Sequence, residues 1–249
     1  MIYHHFKTLG STSEHLAKMA DDGAPEWTVV TADRQTSGRG RGGKAWWSPE
    51  GNLYMSVLLR PEVDPRKLLR LPVTASAAFL SAMGESGSSL AVKWPNDILF
   101  GGRKMVGILV ESRSEGDKVL WAVVGFGVNV ERPEDDSPIE IRDRMAFVHE
   151  VDEDLEPEDL AERIIRSLKE YSAGLKDERI WDIVRDQWTR RALLNTPYTY
   201  WDGGRKLHGI PIRLDVNGGL VMATEDGEFT VYSGELKDPI QNSKFKIQD

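Results

Sequence analysis

No cysteine occurs among the 249 residues, which excludes disulfide bridges, thiolate metal sites and cysteine nucleophiles. No apolar run is long enough to span a bilayer, and the N-terminus lacks a signal-peptide core. Basic charge is in deficit: 32 Lys and Arg stand against 40 Asp and Glu, a net charge of −8. An acidic chain is a poor general binder of nucleic acid, so neither a DNA nor a membrane partner is expected, and a cytoplasmic location is. The P-loop pattern Gly-x-x-x-x-Gly-Lys-Ser/Thr is absent, and so are internal repeats. What is present is an ordinary globular composition, 40% hydrophobic and 29% charged, which argues against disorder. The length suits one large domain, or one domain plus a small one.

One stretch organises the rest: Gly38-Arg39-Gly40-Arg41-Gly42-Gly43, followed by Lys44-Ala45-Trp46-Trp47. Glycine lets backbone amides turn toward an anion, and arginine adds a charged fork shaped for phosphate or carboxylate. Taken alone, the run reads equally well as a flexible surface loop. A strand over Trp27–Ala32 delivers the chain to Gln35 and this loop, and a second strand over Asn52–Leu59 receives it. A glycine loop between two strands is not a Rossmann turn. Its arginines have few evident partners, so the loop is expected to be mobile until an anionic ligand arrives.

Before the loop, a short strand over Ile2–Thr8 precedes Ser11-Thr12-Ser13-Glu14, which caps a helix running to about Ala20. Ser11 and Thr12 read as caps, although a helix start also suits a ligand's polar end. Asp64-Pro65 opens a helix through Leu80, with Pro72 an awkward insertion expected to kink it. Lys93-Trp94-Pro95-Asn96-Asp97 concentrates a cation, an indole, an amide and a carboxylate in five residues between apolar Val92 and Ile98. After the turn Gly101-Gly102, Lys104 enters a strand at its open end, and Val119–Val130 pairs with it as a hairpin carrying Asn129. Residues 131–159 read as charge-rich loop and helix entry. Pro157–Tyr171 and Ile180–Ala192 have helical spacing. From Asn195, four short strands separated by Asp202-Gly203-Gly204, Asn217-Gly218-Gly219 and Glu225-Asp226-Gly227 predict a small β-barrel. The tail from about Pro239 reads as loose. The expected organisation is α+β, with a catalytic domain over 1–194 and a barrel over 195–249.

Four motifs together, Gly-Arg-Gly-Arg-Gly-Gly-Lys-Ala-Trp, Lys-Trp-Pro-Asn-Asp, Arg-Lys-Met-Val-Gly-Ile-Leu-Val-Glu and Gly-Phe-Gly-Val-Asn, resemble the biotin–protein ligases in order and spacing, over about residues 2–240. The resemblance implies a catalytic domain like that of class II aminoacyl-tRNA synthetases and an SH3-like C-terminal barrel. It implies ATP-dependent formation of biotinyl-5′-AMP, with Mg²⁺, and transfer to a lysine of a biotin carboxyl carrier protein domain. The chain looks like the ligase-only type, without an N-terminal DNA-binding domain, and a homodimer is left open. Carried over by position, Ser11, Thr12, Gln35, Gly38, Arg39, Gly40, Arg41, Trp46, Lys104 and Gly107 would contact biotin or its adenylate. Trp46 would help cover the ligand. Arg41, Lys44, Trp46, Lys93, Asn96, Lys104 and Asn129 would serve ATP. Many relatives have arginine at Lys44. The catalytic set would be Lys104, Arg41, Lys93 and Asp97, with Asp97 either orienting the acceptor amine or capping a turn. The alternatives are a lipoate–protein ligase on the same fold and a non-catalytic adenylate-binding regulator.

Overall fold

The computed structural model describes residues 1–133 and 137–239; the tail expected to be loose lies, beyond Pro239, outside the described residues. Strand β1 (Ile2–Leu9) leads to Ser11, whose extended backbone and hydroxyl cap helix α1 (Thr12–Asp21) by accepting from the Glu14 amide. Parallel β2 (Thr28–Gln35) follows, then the glycine loop, then β3 (Leu53–Leu59). All seven β3 residues are buried because both faces of its sheet are covered. Met55, Val57 and Leu59 join the larger core, and Leu58 joins Leu16, Val30 and Val123 beneath α1.

The segment expected as one kinked helix is two. A 3₁₀ stretch covers Pro65–Arg70, and α2 spans Leu71–Ala82 with Pro72 in its first turn. The missing proline N–H thus falls where no intrahelical acceptor exists, so Pro72 starts a helix and does not bend one. Strands β4 (Ala91–Lys93) and β5 (Asp97–Phe100) form a tight hairpin across a cis Trp94–Pro95 peptide. The long hairpin of β6 (Arg103–Glu115) and β7 (Lys118–Val128) completes a seven-stranded sheet ordered β1-β2-β3-β7-β6-β5-β4.

Within the charge-rich stretch lies a one-turn helix, α3 (Ile139–Arg142). Helix α4 (Pro157–Ser172) buries Leu160, Ile164, Ile165 and Leu168 on one face, each contributing about 1.5–3 kcal/mol by removal from water. Helix α5 (Glu178–Thr189) ends before the expected Ala192. The next residues instead cover the edge of β4: the Val92 amide donates to the Arg191 carbonyl at 2.7 Å, and Leu193 donates to Val92 at 2.9 Å.

The C-terminal strands are β8 (Tyr198–Trp201), β9 (Lys206–Leu214), β10 (Leu220–Thr224), β11 (Gly227–Val231) and β12 (Glu235–Pro239). Sequence patterning missed β12, which pairs with β8. The order β11-β10-β9-β8-β12 leaves β11 and β12 as unjoined ends, so the described residues form a five-stranded sheet in which no pairing closes the expected small barrel. The whole is a mixed α/β fold.

Arg70 fastens this small sheet to the helices. It is 2% exposed, and it donates to the carbonyls of Gly174 and Val216, both at 3.0 Å, and to Glu178 Oε2 at 2.8 Å. Its guanidinium lies 4.7 Å from the centre of the Trp181 ring. The Trp181 indole N–H also donates to Val216. Arg70→Met is expected to destabilise the protein by about 2–4 kcal/mol, because the buried Gly174 carbonyl loses a donor, Glu178 loses a cation and the Val216 carbonyl keeps only Trp181. Urea unfolding measures this; a loss under about 1 kcal/mol would mean that packing, and not these bonds, holds the joint.

Candidate active site

The sheet face beneath α1 has a floor almost free of side chains. Register pairs Gly107 with Gly127 and Leu109 with Gly125 across β6 and β7. A Cβ at Gly125 would meet Ser13 Oγ at 2.4 Å, so α1 begins in direct contact with the strand backbone. Around this floor lies a cleft of about 1050 Å³.

One end is a relay of buried hydroxyls and one amide. Ser13 and Ser56 hydroxyls are 3.0 Å apart, and Ser56 donates to Thr12 Oγ1 at 2.9 Å. The Thr12 amide donates to Gln35 Oε1 at 2.9 Å, and Gln35 Nε2 donates to Ser48 Oγ at 3.0 Å. Ser11, Thr12 and Ser13 are all buried. Ser11 does cap α1, and it also lines the cleft.

The opposite side is charged. Lys104 Nζ lies 2.7 Å from Asp97 Oδ1, at side-chain exposures of 35% and 28%, so both groups remain reachable from the cleft. The Lys104 backbone is fixed by Arg144, Ala146 and the buried Asn129 amide, whose Nδ2 donates to the Lys104 carbonyl at 3.1 Å. Asn96 Nδ2 donates to the Ile108 carbonyl at 2.6 Å, locking the β4–β5 turn onto β6. Lys93 points along the wall, its Nζ 6.0 Å from the Tyr198 ring centre.

The glycine loop forms the roof. Contrary to expectation, its cations have partners. Arg39 pairs with Glu111 at 2.8 Å, Lys44 pairs with Glu235 at 2.6 Å, and Arg41 donates to Asn96 Oδ1 at 3.3 Å and to the Gly234 carbonyl at 3.0 Å. Burial lowers the Arg41 pKa, partly offset by Asp97 and Glu235. Gly40 and Trp46 line the cleft, and Trp46 lies against Gly107 and Gly127. Gly38 does not line it: a Cβ there would meet Ser48 Oγ at 2.4 Å and the Trp46 carbonyl at 2.5 Å, so its place is in packing the loop's base.

Apart from Gly38, every residue given a biotin, ATP or catalytic role from sequence borders this one cavity. Sequence reasoning missed Arg144 and Met145, next to α3, and Trp201, Asp202, Ser233 and Glu235 from the small sheet. Nothing local marked them, since pairing with Lys104 brings Arg144 and Met145 there and the docking of the small sheet brings the other four. The lining holds seven Lys and Arg against four Asp and Glu, so an acidic chain presents a locally cationic cleft suited to anions.

The Glu235 carboxyl is held below its ordinary 4.5 chiefly by the hydrogen bond from Lys44, against an opposing effect of burial. A depressed carboxylate stabilises the closed loop above its unfolded pKa, and that contribution fades as pH falls through the lower folded value. Loop protection is therefore expected to be flat between about pH 8 and 5 and to fall below about 4.5, whereas Glu235→Gln should be loosened already at pH 7. Hydrogen exchange over residues 38–47, corrected for its intrinsic pH dependence, reads this. Equal wild-type protection at about pH 4 and 7 would remove the pair from loop closure.

A sequence model of the Biotin/lipoate A/B protein ligase family matches residues 6–129. The chain is 33% identical over 248 residues to the bifunctional ligase/repressor BirA of Bacillus subtilis, covering 95% of this chain and 73% of that protein. It is 30% identical to the biotin–[acetyl-CoA-carboxylase] ligase of Paracoccus denitrificans, covering 91% of this chain and 96% of the relative. Among solved structures, the biotin protein ligase of Aquifex aeolicus in complex with biotin and ATP superposes with a TM-score of 0.77 at 30% identity, covering 95% of this chain and 97% of that one. On the fold, the cleft and these likenesses together, the chain belongs to the biotin–protein ligases of the biotin/lipoate ligase family.

Proposed function

We propose that this protein activates biotin with ATP to give biotinyl-5′-AMP and transfers the biotinyl group to a lysine of a biotin carboxyl carrier protein domain. One observation carries the reading: a glycine floor with no side chains of its own, overlain by Trp46, runs from a buried hydroxyl–amide relay to a cluster of cations. Such a slot suits a ligand with a polar head, an apolar chain and a terminal carboxylate. In this reading Ser11, Thr12, Gln35, Arg39, Gly40 and Gly107 hold biotin, while Arg41, Lys44, Lys93, Asn96, Lys104 and Asn129 serve ATP.

The chemistry requires two anions to meet. The biotin carboxylate attacks the α-phosphorus of ATP, the P–O bond to pyrophosphate breaks, and pyrophosphate leaves. Lys104 reduces the repulsion on approach, and Lys93 and Arg41 stabilise the charge that builds on phosphate oxygens. The loop roof then shields the mixed anhydride from water. In the second step a neutral acceptor amine attacks the acyl carbon and AMP leaves. A free lysine is mostly protonated at neutral pH, so the amine must lose a proton; Asp97, 2.7 Å from Lys104, is placed to orient it or take that proton.

Mg²⁺ is proposed to accompany ATP. Such an ion is carried mainly by phosphates and water, with one or two protein oxygens. Its contribution when bound is to neutralise phosphate charge. We further propose that residues 1–194 form a domain related to class II aminoacyl-tRNA synthetases, that 195–249 form an SH3-like domain, that the protein is cytoplasmic, and that DNA is not a ligand. No helix among the described residues is long and apolar enough to cross a membrane.

Labelling of a biotin carrier domain, dependent on ATP and challenged with lipoate, tests the activity; labelling blocked by equimolar lipoate would favour a lipoate ligase. Lys104→Ala is expected to lower biotin-dependent pyrophosphate release by about 10²–10³-fold with the fold intact by circular dichroism. Normal release would take Lys104 out of the mechanism. Arg41→Ala should weaken retention of biotinyl-5′-AMP, so that released anhydride labels bystander lysines. Calorimetry and mass-spectrometric mapping check this, and wild-type affinity with wild-type selectivity would reduce Arg41 to a surface loop residue.

A further inference from the structure

Trp46 is positioned differently from a simple cover. A Cβ built on Gly107 would lie 2.7 Å from Trp46 Cζ3, and one on Gly127 would lie 2.6 Å from Trp46 Nε1 and Cε2. Those two glycines are direct partners across β6 and β7. The indole therefore lies flat on bare strand backbone, at van der Waals contact, with no layer of space beneath it. Its Nε1 is buried and has no acceptor among the described residues, so the ring is held by packing and by the Lys104 ammonium 5.1 Å from its centre. The Lys44–Glu235 and Arg39–Glu111 pairs clamp the loop that carries it.

We infer that Trp46 is a displaceable plug: its indole fills the strip of floor over Gly107 and Gly127, and a ligand chain crossing that strip must lift it by one atomic layer, about 3.5–4 Å. The proposal rests on the ligase reading for the ligand's identity. It makes the glycine pair a seat for one occupant at a time, indole or acyl chain. Lifting the ring frees its N–H for an acceptor and turns the same side chain from plug to roof. The buried, unpartnered N–H means that leaving the floor sacrifices no hydrogen bond, which keeps the exchange within reach of a small ligand's binding energy.

The test follows Trp46 in protein labelled with 5-fluorotryptophan, its ¹⁹F resonance assigned by Trp46→Phe. Saturating biotin, with binding verified by calorimetry, is expected to move that resonance from its ligand-free position. Gly127→Ala, whose methyl would collide with the indole, should move it without any ligand. Trp46→Ala lies on a loop and does not risk the sheet; without its anchor the loop should be cut by trypsin after Arg39, Arg41 or Lys44 roughly tenfold faster than wild type. An unmoved resonance with biotin bound, or unchanged trypsin cutting of Trp46→Ala, would overturn the plug. If calorimetry detects no biotin, the ligase reading fails by itself, and the two ligand-free variants still decide whether the indole is seated as described.

Discussion

The structure depends on how closely other groups approach the backbone of one strand pair. Gly107, Gly125 and Gly127 share the face of β6 and β7 beneath α1, and each would clash within 3 Å if it carried a methyl. Ser13 rests on Gly125, and the Trp46 ring rests on Gly107 and Gly127. Because the floor has no side chains, its chemistry comes from the rim. The hydroxyl relay stands at one end, the Lys104–Asp97 pair at the other, and the glycine loop above. Glycine in a strand interior weakens the strand. Here the weakness is offset by central placement, with β3 and β5 flanking the β6–β7 pair on either side.

The second constraint is the seating of the small sheet. It contributes no core to the floor, yet the loop roof is fastened to it through Glu235 and the Gly234 carbonyl. Glu235 is held there by the pairing of β12 with β8, and the same sheet is fastened to the helices where Arg70 and Trp181 donate to the Val216 carbonyl. Loop closure, helix packing and the C-terminal strands thus form one connected system. The surface pairs in it, such as Lys44–Glu235, are individually weak because both partners are substantially exposed. Their effect comes from acting on a loop whose glycines leave it little stiffness of its own.

Much of this was legible in the chain. The cap at Ser11, strands β1 to β3, the β6–β7 hairpin, α4 and four of the five small-sheet strands follow from period, caps and turn residues, all acting within a few positions. The site residues were named through the resemblance of four ordered motifs to the biotin–protein ligases, and the cavity gathers all of them but Gly38. Pro72 was misjudged because proline's effect depends on whether it falls inside a helix or at its start, and the start was set by the 3₁₀ stretch before it. β12 escaped because its partner, β8, lies far back in the chain. Turn spacing counts strands without saying whether the last one meets the first, so it could not decide between a sheet and a barrel.

Sequence by itself determined the elements and the chemistry available: a cysteine-free chain, acidic overall, with arginines set among glycines, a Lys-Trp-Pro-Asn-Asp turn and glycines alternating along β7. Tertiary structure alone decided what those groups face. That Gly38 packs and Gly40 lines the cleft, that Arg39 meets Glu111, that Arg41 reaches Gly234, and that the Trp46 ring lies on two glycines of another strand pair were not written in any local pattern. The physical reason is separation along the chain. Apart from Gly38, whose contacts stay within its own loop, these contacts join segments whose meeting is governed by the register of β6 on β7 and by the docking of the small sheet, and a shift of one residue in that register would put Gly107 on the opposite face from Gly125 and Gly127.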